Sequence, residues 1–345
     1  MPVTIRDVAK AAGVSPSTVS RTIRKNSTIS KKTQDRVWEA IQQTGYEIPE
    51  SARQNLEEET SESHSIGVIL PPSMKSTYEN PFFLEVLRGI SLTCSKQDVL
   101  TLLITGQDDE EIIRGIQDAQ NEGSAGAFIV LFSRQDDPIV DYLYSQGVEY
   151  VLVGSPAERI NETVCVDNDN IAAGQQAASY LYNLGHRRFC FVGSEDQQLY
   201  STARKNGFRL FLAEKNIEFD PDLIVEMEYG DEKGLKKLRS ILMMESGKRP
   251  TAFITSDDLH AVTLKQLAGE CGLHIPEDFS VVSFNNSVFS RLTLPQLTSI
   301  DVNAAMLGSE AASQAMAHAS NPALIASKTL IPFSLVERDS TASNH

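Results

Sequence analysis

From Ser65 onward the chain alternates short apolar runs with helix-length stretches, and this alternation restricts the fold more than any other feature. IGVIL, a helical stretch from about Phe82 to Lys96, LTLLI, a helical stretch over 108–121, AFIVL, another helix and YVLVG follow in order. RRFCFVG, a helix from about Thr202, TAFITS, a helix from Leu259 and FSVVSF then repeat the pattern. Strands covered on both faces are apolar along their whole length, and joining them through helices requires parallel pairing. Two sets of similar size predict two Rossmann-like lobes. Ligands in such sheets sit outside the carboxyl ends of the strands, which in a two-lobed protein face one cleft.

Polar and aromatic residues stand where that cleft is expected. After IGVIL come Tyr78, Glu79, Asn80, Phe82 and Phe83; after AFIVL, Ser133; after RRFCFVG, Arg204 and Phe208; after TAFITS, Asp257; after FSVVSF, Asn285, Asn286 and Phe289. Fixed donors and acceptors combined with aromatic faces suit a polyhydroxylated ligand, whose CH patches pack on aromatic rings. Asp257 and Asp258 equally fit a helix start, and Phe83 equally fits a core position.

The first 50 residues follow different rules. Ile5, Val8, Ala9 and Ala12 fall on one helical face that Thr4 can cap, and Gly13 ends it. A second helix opens with Ser15 as cap and Pro16 at the first helical position, with Val14 placed to pack on Val19, and runs to about Arg24. A third starts after Ser30, buries Val37, Ala40 and Ile41, and stops at Gly45. Two helices joined by a tight turn and braced by a third predict a helix-turn-helix, whose second helix reads the major groove. Its outward residues are expected to be Pro16, Ser17, Ser20 and Arg21, of which Arg21 alone is long enough to pair with a guanine edge.

Charge supports this division. The whole chain carries −15, which taken alone argues against a polyanionic partner. Residues 1–56 hold nine Lys or Arg against five Asp or Glu, or +4, while the remainder holds 22 against 41, or −19. A basic head on an acidic body is the distribution expected if the head alone meets phosphate.

TIRDVAKAAGVSPSTVSRTI and SKKTQDRVWEAIQQTGY resemble the head of the lactose-repressor (LacI/GalR) family of bacterial regulators nearly position for position. The resemblance implies that Pro16, Ser17 and Arg21 read bases and that Thr4, Ser15, Thr18, Ser20 and Ser30 contact the DNA backbone. In that family a short hinge helix wedges a Leu into the minor groove, and Ala52, Arg53 and Leu56 are the matching residues. Pro49 and Leu56 lie one residue further from Tyr46 than is usual there, and Glu57, Glu58 and Glu59 follow. A plain tether is the other reading of this hinge, and with it a sugar-binding receptor with weak or no specific DNA binding. VDNDNIAAGQQAASYLYNLGHRRFCFVG, ARKNGF, ITSDDLHAV and LPQLTSIDVN resemble the family's effector-binding core, itself similar to periplasmic sugar-binding proteins. The resemblance implies that Arg204 binds effector and that Asp257 lines the cleft. ENPFFLEVLRGIS and VVSFNNS look most like the branch that represses maltose operons, which implies maltose or a maltodextrin as ligand.

The expected organisation is a helix-turn-helix domain over 1–48, a hinge over 49–64, and an effector and dimerisation domain over 65–345 with a periplasmic-binding-protein-like fold. Its N-lobe is drawn at about 65–163 plus 292–320 and its C-lobe at about 164–291 plus 321–340. Expected partners are a pseudo-palindromic duplex operator, a sugar effector and a second copy of the chain, in the cytoplasm and without a membrane. The absence of GxxxxGK[ST], GxSxG and HExxH argues against an enzyme. Neither a cofactor nor a metal is expected, and the widely spaced Cys94, Cys165, Cys190 and Cys271 read as buried thiols.

Overall fold

The computed structural model describes residues 3–23, 29–46, 65–72, 80–195 and 198–344. The head contains α1 (Ile5–Ala12), α2 (Pro16–Ile23) and α3 (Lys31–Thr44). The Asp7 carboxylate accepts from the Thr4 amide at 2.9 Å and from its hydroxyl at 2.7 Å, closing a capping box. Gly13 and Gly45 end α1 and α3 with φ of 64° and 66°. Ile5, Val8, Val19, Ile23, Val37 and Ile41 form one small core against Val14 and Trp38. Arg24 lies outside the described residues, as do Ala52, Arg53, Leu56 and Glu57–Glu59 of the hinge.

The body runs β1 (Ser65–Ile69), α4 (Pro81–Ser95), β2 (Leu100–Ile104), α5 (Asp109–Asn121), β3 (Ala127–Val130), α6 (Pro138–Gln146), β4 (Tyr150–Val153) and β5 (Val164–Asp167). It continues through α7 (Asn170–Asn183), β6 (Phe189–Gly193), α8 (Leu199–Glu214), β7 (Ile224–Glu226), α9 (Glu232–Leu242), β8 (Ala252–Thr255), α10 (Asp258–Glu270), β9 (Ser280–Phe284) and α11 (Val288–Leu292). It ends with β10 (Thr298–Asp301), α12 (Ala304–Ser320), β11 (Lys328–Leu330) and β12 (Ser334–Val336). The strands make two six-stranded sheets, β11-β5-β4-β3-β1-β2 and β12-β10-β9-β8-β6-β7. All pairings are parallel except β10 with β12. Among the described residues no helix is long and apolar enough to cross a membrane.

The lobe boundaries differ from those expected. β5 pairs with β4 and belongs to the first sheet, β10 pairs with β9 in the second, and β11 pairs with β5 back in the first. The chain therefore crosses between lobes after β5, after β10 and after β11. The short runs VCVD, TSID and KTL carry no mark of the sheet they join, because edge pairing decides it and pattern does not. Asn168 ties the three crossings together: its side-chain amide donates to the Val302 carbonyl at 3.0 Å and to the Ile331 carbonyl at 2.8 Å. Of the cysteines, Cys94, Cys165 and Cys190 are buried, whereas Cys271 is half-buried.

Both lobes use the same helix crossing. In the first, a Cβ on Gly89 of α4 would lie 2.0 Å from the Ala305 carbonyl oxygen of α12, and one on Gly308 would lie 2.0 Å from that of Val86. In the second, a Cβ on Gly174 of α7 would lie 2.2 Å from the Arg204 carbonyl oxygen of α8, and one on Gly207 would lie 2.0 Å from that of Ile171. Two backbones in direct contact leave no side chain able to yield, so alanine must push the helices apart. Gly207→Ala is expected to cost about 1–3 kcal/mol in chemical denaturation. Gly269→Ala, in open space at the end of α10, should leave stability unchanged or slightly raised.

Candidate effector cleft and DNA-reading head

Between the lobes lies a cavity of about 330 Å³. From the sequence-derived set it gathers Asn80, Phe82 and Phe83 at the start of α4, Ser133 after β3, Arg204 on α8 and Asn285 after β9. Asn80 caps α4 by accepting from the Phe82 amide at 3.1 Å, and the two Phe rings stand edge to face at 5.6 Å. Ser133 gives its hydroxyl proton to the Ser155 carbonyl. Asn285 has φ of 90°, a strained value that the short amide side chain of Asn tolerates better than most.

Four expected residues take other roles. Phe208 is core, with its ring 6.1 Å from both Phe189 and Phe191. Its place one residue past Gly207 turns it away from the cleft and under the sheet. Asp257 lies behind the cavity wall as the N-cap of α10, accepting from the His260 amide at 2.9 Å. Phe289, in the short α11, does not line the cavity. Tyr78 and Glu79 lie outside the described residues. Asn286 turns to the second lobe instead, donating to Asp301 at 2.9 Å.

Several lining residues escaped sequence reasoning. Tyr200 and Tyr229 add aromatic faces, and Asp167 and Asn170 add a polar floor. Asn170 stands directly after a strand, in VDNDN, so the rule used for the other strand ends would have found it. Tyr229 follows the short edge strand β7, for which the pattern carried no signal.

Arg204 organises the floor. Only 4% exposed, it donates from Nε to Asn170 Oδ1 at 2.8 Å and from Nη1 to the Ser256 carbonyl, with its Cζ 4.4 Å from the centroid of the Phe284 ring. Burial draws its pKa down, and the nearby Tyr200 and Asp257 oppose that fall. Asn170 passes the contact on, donating from Nδ2 to Asp167 Oδ1 at 2.9 Å. Asp167 also accepts from the Ser155 hydroxyl at 2.7 Å, and burial holds its carboxyl above the ordinary range. One amide thus joins a carboxylate of the first lobe to a guanidinium of the second. At the mouth the lobes meet again, where the Leu199 amide donates to the Ser133 carbonyl at 3.3 Å and Arg134 bridges Gln198.

In the head, Ser15 accepts from the Thr18 amide at 3.2 Å and Ser30 from the Thr33 amide at 3.4 Å, so both cap helices. Thr4 closes the capping box of α1, and Pro16 begins α2. Ser17, Ser20 and Arg21 point away from the head's own core, but they are covered rather than open. A Cβ on Gly147, at the end of α6, would lie 3.0 Å from Ser17 Cα and 3.2 Å from Ser20 Cβ. Arg21 Nη2 lies 3.6 Å from Glu149, while its Nε has no hydrogen-bond partner. A half-screened ion pair beside an unsatisfied donor is a weak seat.

A basic three-helix head joined to a two-lobed body with an internal cleft defines a ligand-responsive DNA-binding regulator. Residues 4–49 match the family described as bacterial regulatory proteins, lacI family, and residues 178–341 match the periplasmic binding protein-like domain. The HTH-type transcriptional regulator MalR of Staphylococcus xylosus is 33% identical over 343 residues, covering 99% of this chain and 98% of that protein. A LacI transcriptional regulator from Bacillus cereus subsp. cytotoxis superposes with a TM-score of 0.77 at 32% identity, over 81% of this chain and 99% of that one. A probable maltose operon transcriptional repressor, malR, from a Staphylococcus species gives 0.74 at 25% identity, over 81% and 99%. This chain belongs to the LacI family of transcriptional regulators.

Removing the Asn170 amide leaves Arg204 Nε without its acceptor and takes one of two donors from the buried Asp167 Oδ1, which keeps the Asn168 amide. Asn170→Ala is expected to lower unfolding free energy by about 1–3 kcal/mol, measured by urea titration. An unchanged midpoint would mean that water replaces both bonds.

Proposed function

We propose that the chain is a homodimeric repressor of carbohydrate-utilisation genes, released from a pseudo-palindromic operator by maltose or a short maltodextrin held in the cleft. The observation that carries this reading is the union, on one chain, of a capped reading helix and an interlobe cavity. That cavity combines five aromatic rings with fixed amide, guanidinium and carboxylate groups. Aromatic faces pack on the CH surfaces of a sugar while the polar groups satisfy its hydroxyls, and a maltose operon repressor among the similar structures supports the ligand class.

In the mechanism, Pro16, Ser17 and Arg21 read base edges, and Thr4, Ser15, Thr18, Ser20 and Ser30 hold the backbone in register. Ala52, Arg53 and Leu56 supply the hinge contact to the minor groove. A two-fold dimer presents two such heads, so its operator carries the same symmetry. Sugar acts only through its differential affinity for two lobe arrangements. Changing the lobe angle alters the spacing of the two hinges and so the fit of the paired heads.

The test is selection from a random duplex pool by the full-length chain at fixed salt, with and without maltose. A pseudo-palindrome recovered without maltose and lost with it is the expected result. Enrichment that is indifferent to maltose would overturn the ligand assignment. On the selected site Arg21→Ala should cost about 1–3 kcal/mol and relax one base position, whereas a uniform loss across sequences would make Arg21 a phosphate contact.

A further inference from the structure

We propose that His260 is a positioning residue of the effector cleft, held as an imidazolium beneath it so that Tyr229 meets the ligand as a hydrogen-bond acceptor. The inference rests on reading the cleft as the effector site, and it adds the polarity of one contact: the ligand group at Tyr229 must be a donor, such as a sugar hydroxyl.

Nε2 of His260 faces a group that can only accept, and Nδ1 faces a carboxyl group at closer range than the Ser256 hydroxyl, which lies 3.4 Å away. Nε2 lies 3.2 Å from the Met227 carbonyl oxygen, and Nδ1 lies 3.0 Å from Asp257 Oδ1. A carbonyl oxygen accepts and never donates, so Nε2 carries a proton. Asp257 is surrounded by donors: Oδ1 accepts from the His260 amide at 2.9 Å, and Oδ2 accepts from the Tyr229 hydroxyl. A neutral carboxylic acid there could hand its proton only to Nδ1, along the same hydrogen bond, and the ordinary acidities of a carboxyl (about 3.9) and an imidazolium (about 6.5) place that proton on the ring. The carboxylate form instead accepts from every neighbour and requires a proton on Nδ1 as well.

His260 is 0% exposed and Asp257 1%, so the ion pair exists only because it is complete. The charge balance agrees. Burial works against an imidazolium, yet Asp257 raises the pKa of His260; burial works against the carboxylate, yet His260 draws Asp257 down to about 2. The groups facing the ring are Asp257 and Ser256 before α10, and Met227, Glu228 and Tyr229 after β7. Tyr200 stands near Asp257 on the cleft side.

Tyr229 lines the cavity, and its ring centroid is 4.5 Å from that of His260. With its proton committed to Asp257, its hydroxyl oxygen offers the cleft lone pairs alone. Glu228 and Glu195 line the same part of the wall and also present acceptors. That corner therefore favours neutral hydroxyl donors and disfavours a phosphate.

Two measurements on the full-length chain test this. The first is nitrogen NMR of the His260 ring in the free protein. Both ring nitrogens should remain protonated at pH values where an ordinary histidine, with a pKa of about 6.5, is neutral. A neutral ring there overturns the proposal whatever the ligand. The second is maltose calorimetry on a double-mutant cycle. His260→Gln should weaken binding about tenfold in the otherwise unchanged chain and have no further effect beside Tyr229→Phe, where the hydroxyl is gone. Equal losses in both backgrounds would make His260 merely structural and overturn it.

Melting should carry the same signature. Because the folded pKa of His260 is raised, its contribution is complete below its unfolded value of about 6.5 and is lost as pH rises through the higher folded value. The gap in melting temperature between the parent chain and His260→Gln should narrow over that range, and a gap independent of pH counts against the imidazolium. A parent chain that ignores maltose would remove the sugar reading alone, and the ring nitrogens would still decide the proposal.

Discussion

A guanidinium cut off from water has to be given partners where it lies, and in this body that requirement organises everything around the cleft. Arg204 can be buried because Asn170, the Ser256 carbonyl and the Phe284 ring surround it. Asn170 in turn holds its orientation because Asp167 takes its other end. These groups come from β5, α7, α8, the end of β8 and β9, so one charge specifies how strands of one lobe stand against helices of the other. The position of Arg204 is itself set by the bare backbone contact between α7 and α8, where Gly174 lies against its carbonyl. Small residues and a large charge are therefore two halves of one device.

Much of this was legible in the residues. Ser15-Pro16 and the glycines after α1 and α3 announce helix ends through local chemistry, and local chemistry survives the rest of the fold. The apolar runs announce strands because burial on both faces allows little else. What could not be read was the sheet to which β5, β10 and β11 belong, since that depends on an edge created by distant segments. The same divide runs through the cleft. Strand-end reasoning reached Ser133, Arg204 and Asn285, but Phe208 is one helical step from Gly207 and faces the core. Asp257 shares its neighbourhood with Tyr229, yet works from behind the wall. Distance along a strand end is readable; rotation about a helix axis after a close crossing is less so.

The head obeys the opposite economy. Its core is a handful of aliphatic side chains, and its proposed reading face is polar and short apart from Arg21. Such a face makes few commitments to any partner. The contact with Gly147 and Glu149 therefore involves one screened ion pair and an unsatisfied donor, whereas a duplex supplies phosphates and base edges for the same groups. The acidic body beside a basic head favours the exchange at low salt less than the head alone would, because the surrounding charge repels the duplex.

The two bonds of Asn168 have a mechanical meaning. Two solid bodies joined at three separate points have lost their freedom to slide past each other, and if the three points lie near one line the remaining freedom is rotation about it. Asn168 gathers the segments after β5, β10 and β11 by binding Val302 and Ile331 from its own place in the first crossing. In the proposed mechanism the joint serves as a pivot with a lever on each side, and a change of angle too small to disturb either core is multiplied by the length of a lobe at the end where the head is carried.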